Sequence, residues 1–310
     1  MKSKLHFSRV LALALIVTLQ SCEKTTEIKP EEDTSNDQTE LVAHSSDEAM
    51  LSAEMDAVTN DVNVPLETIV TGNSQDGLIC SATLVYDTTG SEKKVTITYA
   101  GADCPGYRTR NGVVKISIPA GTRWIDVGAQ ITVTYENLKI TRNSDKKSIT
   151  INGTHKLTNV GGGILLQLLI GRPNITHSFT SNNISVTFDD GTQVVWQVAR
   201  QRVYTLANGG TITITGTHQE GTVTNIAEWG TDRFGHSFTT SITEPLVISG
   251  ACQYRLVSGQ IKHEWQAQTA TVTFGLNAQG EVTSCPTGSY YYKLAWTGPQ
   301  NTSLTYIGVY

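Results

Sequence analysis

Histidines and carboxylates are the residues of this chain that could carry out acid–base catalysis or bind a metal ion. Beyond the N-terminal segment, the 310-residue sequence has six histidines: His44, His155, His177, His218, His236 and His263. They form neither an HxH nor an HExxH pattern, and the carboxylates are scattered. No GxSxG or P-loop pattern occurs in the sequence. We therefore predict a protein that is not an enzyme, with no catalytic residue, metal ligand or cofactor.

Two alternatives would give some of these residues a role in metal binding or catalysis. His155 and His218 occupy matching positions in two similar heptapeptides, ITINGTH at 149–155 and ITITGTH at 212–218. In a duplicated sheet they would share a face, either as ordinary strand-surface histidines or as a metal site. An envelope hydrolase would need two acids, or an acid and a histidine, facing each other across a cleft.

Aromatic residues are the most suggestive set for ligand binding. One falls in each of several predicted strand regions: Trp124, Trp196, Trp229, Trp265 and Tyr291. Flat rings exposed on one sheet surface could hold sugar rings, whereas the same residues in a core would only pack. A carbohydrate-binding or adhesin-like surface module is therefore an alternative function.

Two arginines alternate with apolar residues in one predicted strand. Arg200 and Arg202 share a face with Trp196 and Val198. Arginines among apolar side chains need carboxylate partners or stacking rings. We expect a structural ladder of ion pairs, with anion binding as the alternative.

The N-terminus has the layout of a secretory signal. Residues 1–9 contain Lys2, Lys4 and Arg9 without an acid, and residues 10–19 form an apolar run. Ten residues are too few to span a bilayer, which takes roughly 20. The run ends in Leu19-Gln20-Ser21-Cys22, which resembles the lipobox of bacterial lipoproteins. That resemblance implies removal of a signal peptide at 1–21, lipidation of Cys22 and attachment to a membrane.

The other four cysteines are Cys80, Cys104, Cys252 and Cys285. An even number of cysteines in an exported protein is typical of disulfides. Three pairings are open, and proximity in sequence favours Cys80–Cys104 and Cys252–Cys285.

Charge and length restrict the partners and the number of domains. Charged residues make up 16% of the chain and the net charge is −5, without a basic stripe. Nucleic acid is therefore not an expected partner. The length suits a single β domain, since such domains often exceed 200 residues.

Three segments follow the signal. Residues 22–44 are polar and acidic, which predicts a flexible spacer. Residues 45–64 predict one short helix, because Ser45 and Glu48 fit a capping box and apolar residues recur on one face until Pro65. Residues 65–310 predict a single all-β domain.

Apolar and hydroxyl-bearing residues alternate in this last segment, as in Val95-Ile97-Tyr99 and Ile131-Val133-Tyr135. About fifteen such runs predict an antiparallel β-sandwich or a large curved meander sheet. The heptapeptides at 149–155 and 212–218 indicate either a duplicated hairpin, which we favour, or a convergent likeness of Thr-rich strands. Gly153 and Gly216 are expected at bulges or close backbone approaches. The run Ile164 to Ile170 predicts a short element deep in the core.

Several weak motifs together resemble an uncharacterised family of Bacteroidota lipoproteins. They include Cys104-Pro105-Gly106, Trp196 with Arg200 and Arg202, and Ser249-Gly250 leading to Cys252. The resemblance implies a Thr-rich β domain held at the outer membrane by lipid on Cys22, and it implies no activity. We thus expect a non-catalytic binding or structural role in the cell envelope, with a glycan or another envelope protein as partner.

Overall fold

The computed structural model describes residues 32–73, 76–265, 268–285, 288–298 and 302–310. Within them one α-helix, α1 (Glu32–Thr71), packs against one antiparallel sheet, and four short 3₁₀ helices lie in the connections at Asp76–Leu78, Leu165–Ile170, Ala207–Gly209 and Gly250–Cys252. The first seven strands are β1 (Ala82–Asp87), β2 (Lys93–Ala102), β3 (Arg108–Ile118), β4 (Ala129–Arg142), β5 (Ser148–Asn159), β6 (Ile175–Phe188) and β7 (Gln193–Thr205). The other eight are β8 (Thr211–Gly216), β9 (His218–Glu220), β10 (Val223–Thr231), β11 (Ser237–Ser249), β12 (Arg255–Trp265), β13 (Gln268–Leu276), β14 (Tyr291–Thr297) and β15 (Ser303–Val309).

The alternation of residue types gives the sheet one apolar face. In β4, Ile131, Val133 and Tyr135 are buried, while the threonines between them face outwards. Most other long strands repeat this pattern, so one face of the sheet forms the core. The predicted all-β fold is confirmed, as a single meander sheet of fifteen strands and not as a two-sheet sandwich.

Each strand pairs with its sequence neighbours except near the middle of the sheet. There β8 and β10 both lie between β7 and β11, with β8 against the second halves of those strands. The small strand β9 pairs only with β10. No ladder among the described residues joins β1 to β15, so the sheet is open.

The sheet curves around α1. Glu48 contacts His263 of β12, and Glu54 contacts Arg108 and Arg110 of β3. The two glutamates are about 9 Å apart along the helix axis. Strands β3 and β12 are seven positions apart in the sheet, which is about 34 Å if it were flat. Only a sheet wrapped around the helix brings both strands to it.

The helix is longer than the predicted 45–64. It includes residues 32–44 of the predicted flexible spacer, where Leu41 and His44 are buried. Composition alone could not show this, because the surface that orders these residues comes from the far end of the chain: Gln268 of β13 donates to Asp37 at 3.1 Å. No helix within the described ranges has the length and apolar composition that a bilayer crossing needs.

Pro65 was also expected to end the helix, and it does not. Proline removes one helical hydrogen bond, but the following turn is anchored from outside. Leu66 is fully buried, and the carboxylate of Glu67 accepts the backbone N–H groups of Leu165 and Leu166.

Two predictions about the sheet are confirmed. The disulfides are Cys80–Cys104 and Cys252–Cys285. The first heptapeptide lies in β5, the second arm of the β4–β5 hairpin. Residues 212–216 of the second lie in β8, the second arm of the β7–β8 hairpin, while His218 begins β9. A Cβ on Gly153 would lie 2.2 Å from the carbonyl oxygen of Asn183, and one on Gly216 would lie 1.9 Å from that of Asn225. Both glycines therefore mark close backbone approaches.

Candidate functional site

A cavity of about 870 Å³ lies between α1 and the concave face of the sheet. Its volume falls in the range of roughly 300–1,000 Å³ that is usual for small-molecule sites. The wall on the sheet side is mainly aliphatic and comes from β8 and β10–β13: Ile212, Ala227, Ile242, Leu246, Ile248, Leu256, Ile261 and Phe274. Such a wall accommodates an apolar group.

The cavity exists because α1 has two unlike faces. Leu51, Met55, Val58, Val62 and Leu66 form a stripe of large, buried side chains. Each alanine of the helix that lines the cavity lies two residues from a member of this stripe, about 200° around the helix. The helix residues that line the cavity are mostly small or polar and include Ala49, Ser52, Ala53, Ala57 and Asn60. The alanine and serine side chains are too short to reach the opposing sheet, so the space beside them stays open, whereas Asn60 accepts a hydrogen bond from Arg202 of β7.

Large apolar residues surround the mouth of the cavity. Six residues, called the mouth residues below, line the cavity and are also 36–65% exposed to solvent: Leu78, Tyr107, Leu166, Leu169, Leu206 and Tyr254. Clusters of exposed apolar side chains on soluble domains mark binding surfaces.

The 3₁₀ turn Leu165–Ile170 supplies two of the mouth residues, which corrects the expectation that this run is deep in the core. Ile164 and Leu168 are buried, but Leu169 and Ile170 are 65% and 83% exposed. The turn is too short to bury all of its sides, and a run of apolar letters does not show which side faces solvent.

Ion pairs fix the helix beside the cavity. Arg110 contacts Glu54 and Asp61 at 3.3 Å each, and Asp61 also accepts the hydroxyl of Tyr99 at 2.9 Å. Burial raises the pKa of Asp61 to about 6, although Arg110 opposes the shift. These contacts attach the central part of α1 to β2 and β3.

The predicted arginine ladder is confirmed. Arg200 and Arg202 are buried on the same face as Trp196 and Val198. Arg202 contacts Asp56 at 2.8 Å, and Arg200 lies between Asp56 and Glu228. Burial raises the pKa of Glu228 to about 8 despite the neighbouring Arg200. Both arginines have acidic partners and serve to join β7 to the helix.

Arg255 differs from these arginines. It lines the cavity, and no aspartate or glutamate among the described residues lies within ion-pairing distance. Its guanidinium carbon is 4.1 Å from the ring centre of Tyr290 and 5.1 Å from that of Tyr107, and it donates to the main-chain oxygen of Tyr310. Burial, and then the nearby Arg108, lower the pKa of Arg255.

A second constellation lies where Glu48 meets the cavity. His44 and Glu48 are one turn apart on α1, and His263 of β12 faces them. Nδ1 of His263 is 2.9 Å from Oε2 of Glu48, and Nε2 of His44 is 3.6 Å from the same oxygen. Burial lowers the pKa of His44 to about 4. Burial alone would raise the pKa of Glu48, but His263 and His44 outweigh it and the pKa is lowered.

The sequence-based prediction included no metal ligand and therefore missed this constellation. The spacing of His44 and Glu48 is that of two neighbours on one helix face. This spacing did not lead to a predicted site, because residue 44 was assigned to the flexible spacer and not to the helix. The approach of His263 depends on the curvature of the sheet, for which the sequence has no local signal.

His155 and His218 do not share a face of the sheet, although their matching positions in the repeat suggested it. His155 is buried on the concave side, 3.9 Å from the ring of Phe179. His218 is half-buried and stacks on Trp229, with ring centres 4.2 Å apart. The stack borders a groove of about 620 Å³ that also contains Asn182, Gln197, Gln219 and Glu220.

The predicted ligand-binding aromatics are not brought together. Trp124, Trp196 and Trp265 are buried, and the indole nitrogens of the last two donate to Thr231 O and Asp232 Oδ2. Trp229 and Tyr291 are half-buried on different strands. A sugar site on the sheet surface would therefore have to rely on Trp229 and its groove.

Cys22 and the signal region lie outside the described residues, so lipidation, the outer-membrane location and the resemblance to Bacteroidota lipoproteins stay predictions. Compared with the models of known protein families, with curated proteins and with solved structures, this chain matches none.

Proposed function

We propose that this protein is a non-catalytic binding protein that holds an anionic, lipid-like amphiphile in the cavity between α1 and the sheet. We further propose that it acts in the cell envelope, attached to the outer membrane by lipid on Cys22. The observation that carries the binding function is an apolar cavity whose mouth is surrounded by exposed apolar side chains.

The cavity suits a molecule with an apolar chain. Burying a methylene group contributes about 0.8 kcal/mol, so a chain along Ile212, Ile242, Ile248 and Ile261 would gain several kcal/mol from contacts with the wall. The polar helix residues on the other side are already paired in large part, as with Asp61 and Arg110. The apolar chain of the ligand should therefore lie against the sheet.

The charge of Arg255 favours an anionic head group. The guanidinium lines the same cavity as the mouth residue Tyr107, and a carboxylate or phosphate there would gain a charge-assisted hydrogen bond. The mouth residues would contact the upper part of the chain or the lipid surface from which the ligand comes.

Titration of the full chain with a fluorescent fatty acid tests this function. Ala57→Phe places a ring in the cavity and should weaken binding at least about tenfold, or 1.4 kcal/mol. Ala43→Phe is the matched control, because Ala43 lies on the same helix but does not line the cavity. Equal affinity of the two variants, or no saturable binding by the unmodified chain, would contradict the proposal.

The head-group assignment has its own test. Arg255→Gln should weaken binding of a fatty acid about tenfold and leave a neutral fatty alcohol unaffected. Arg123→Gln is the control, since this arginine is exposed outside the cavity. An equal loss for both ligands would show that Arg255 acts only through packing.

A second function, glycan binding, is favoured by one observation, the His218–Trp229 stack beside a groove lined by amide and carboxylate side chains. A glycan array probed with the full chain and with Trp229→Ala tests it. Signals that disappear in the variant would support the groove, and signals that persist would exclude it.

A further inference from the structure

The side chains of His44, Glu48 and His263 converge on one point between α1 and β12. One potential ligand atom from each lies within 4.8 Å of the others. The two separations to the glutamate oxygen are 2.9 and 3.6 Å. Ligand atoms bound about 2.0–2.1 Å from a tetrahedral zinc ion are about 3.3–3.4 Å apart. Two of the three separations bracket this value, and the third, between the histidine nitrogens, is within 4.8 Å, so side-chain rotations that bring the histidines closer together would complete the geometry.

Hydrogen bonding within the fold explains only part of the cluster, because Nδ1 of His263 lies 2.9 Å from both Glu48 Oε2 and Thr240 Oγ1. All three side chains are at most 2% exposed. Both ring nitrogens of His44 and Nε2 of His263 have no hydrogen-bond partner among the described residues. Buried polar atoms are normally paired, and Nε2 of His44 faces the carboxylate oxygen that Nδ1 of His263 also approaches. An unpaired nitrogen in this place indicates a missing partner that accepts lone pairs. A cation is such a partner.

We infer that His44, Glu48 and His263 bind a divalent transition-metal ion, with zinc as the ion that fits best. Two imidazoles and one carboxylate are a common zinc ligand set, and they leave a fourth position open. The cysteines of the described region are disulfide-bonded, so the ion has no thiolate competitor there. The ion would also join the helix to β12, two elements far apart in the sequence.

The open position would be on the side of the cavity. Glu48 and Thr240 both line the cavity, and Thr240 Oγ1 is 2.9 Å from Nδ1 of His263. Water, the threonine hydroxyl or an anionic group of a bound molecule could occupy this position. The metal site does not depend on the amphiphile proposal, because its three protein ligands are complete without a ligand in the cavity.

Zinc titration of the chelator-treated full chain, in competition with a chromophoric zinc indicator and without amphiphile, tests the site. We expect one zinc per chain, and we expect His44→Gln and His263→Gln each to weaken binding at least about a hundredfold. His177→Gln is the matched control, since His177 is as buried and also has two unpartnered ring nitrogens. It should keep the affinity of the unmodified chain.

Cobalt binding by the unmodified chain keeps the test decisive if a variant does not fold. Co²⁺ in this site should give the intense visible bands of tetrahedral coordination, and added zinc should remove them. Substoichiometric zinc, unchanged zinc affinity in both folded ligand variants, or only the weak bands of octahedral cobalt would overturn the proposal. Zinc binding at this site by a protein that binds no amphiphile would refute the proposed function and leave this inference intact.

Discussion

Two histidines of the concave face make the stability of the protein sensitive to acid. His155 packs on Phe179, and His177 lies between Trp124 and Tyr204. Burial, and then the charge of Arg202, lower the pKa of each from 6.5 to about 3. The unfolded chain therefore binds more protons than the folded chain between these pH values. The contribution of these two neutral, buried histidines to the stability of the folded state is complete above pH 6.5 and is lost as the pH falls towards 3.

The double variant His155→Phe/His177→Phe should reduce this acid sensitivity. Phenylalanine keeps the aromatic packing and does not titrate. Each histidine contributes a slope of about 1.4 kcal/mol per pH unit in its window, so the free energy of unfolding of the variant should fall about 2.7 kcal/mol less per unit near pH 5. Urea unfolding at several pH values measures the slope. Equal slopes for both proteins would show that these histidines do not control it.

At the scale of elements, close approaches of the backbone determine how the hairpins fit together. The Cβ of an alanine at position 216 would overlap the carbonyl group of Asn225, where β8 passes β10. Gly216→Ala should therefore lower the free energy of unfolding by about 1–3 kcal/mol. Gly77→Ala has open space around its Cβ and should change it by less than about 0.5 kcal/mol. Thermal unfolding of both variants tests this, and similar melting temperatures would contradict the assigned contact.

The elements also show what a sequence can and cannot predict here. Strands such as β4 follow from local alternation, and the disulfides follow from the spacing of cysteines. The extent of α1 does not, because Asp37 and His44 contact Gln268 and His263 of strands that come much later in the chain. The cavity also does not follow from the sequence. The helix face with the small residues Ala53 and Ala57 becomes the wall of a site only when the curved sheet closes over it. Local patterns predicted the elements, and long-range packing created the site.

For the whole molecule, the mouth residues should control how fast a ligand enters. Leu169→Ser/Leu206→Ser removes exposed apolar area, so transfer of a fluorescent fatty acid from vesicles to the protein should slow several-fold while the melting temperature is unchanged. Val127→Ser is the control, because Val127 is 76% exposed away from the mouth. Stopped-flow fluorescence measures the rate. Equal transfer rates in all three proteins would exclude a role for the mouth.

The central claim is that an apolar chain lies against the sheet side of the cavity, and methyl NMR tests it most directly. A fatty acid with a nitroxide spin label near the end of its chain should broaden the isoleucine methyl signals of the cavity wall, at Ile212, Ile242, Ile248 and Ile261. Equally buried isoleucines outside the cavity should stay sharp: Ile97, Ile116, Ile140 and Ile151. Selective broadening of the first group is the result that the structure predicts. Broadening of both groups alike, or of neither, would contradict it.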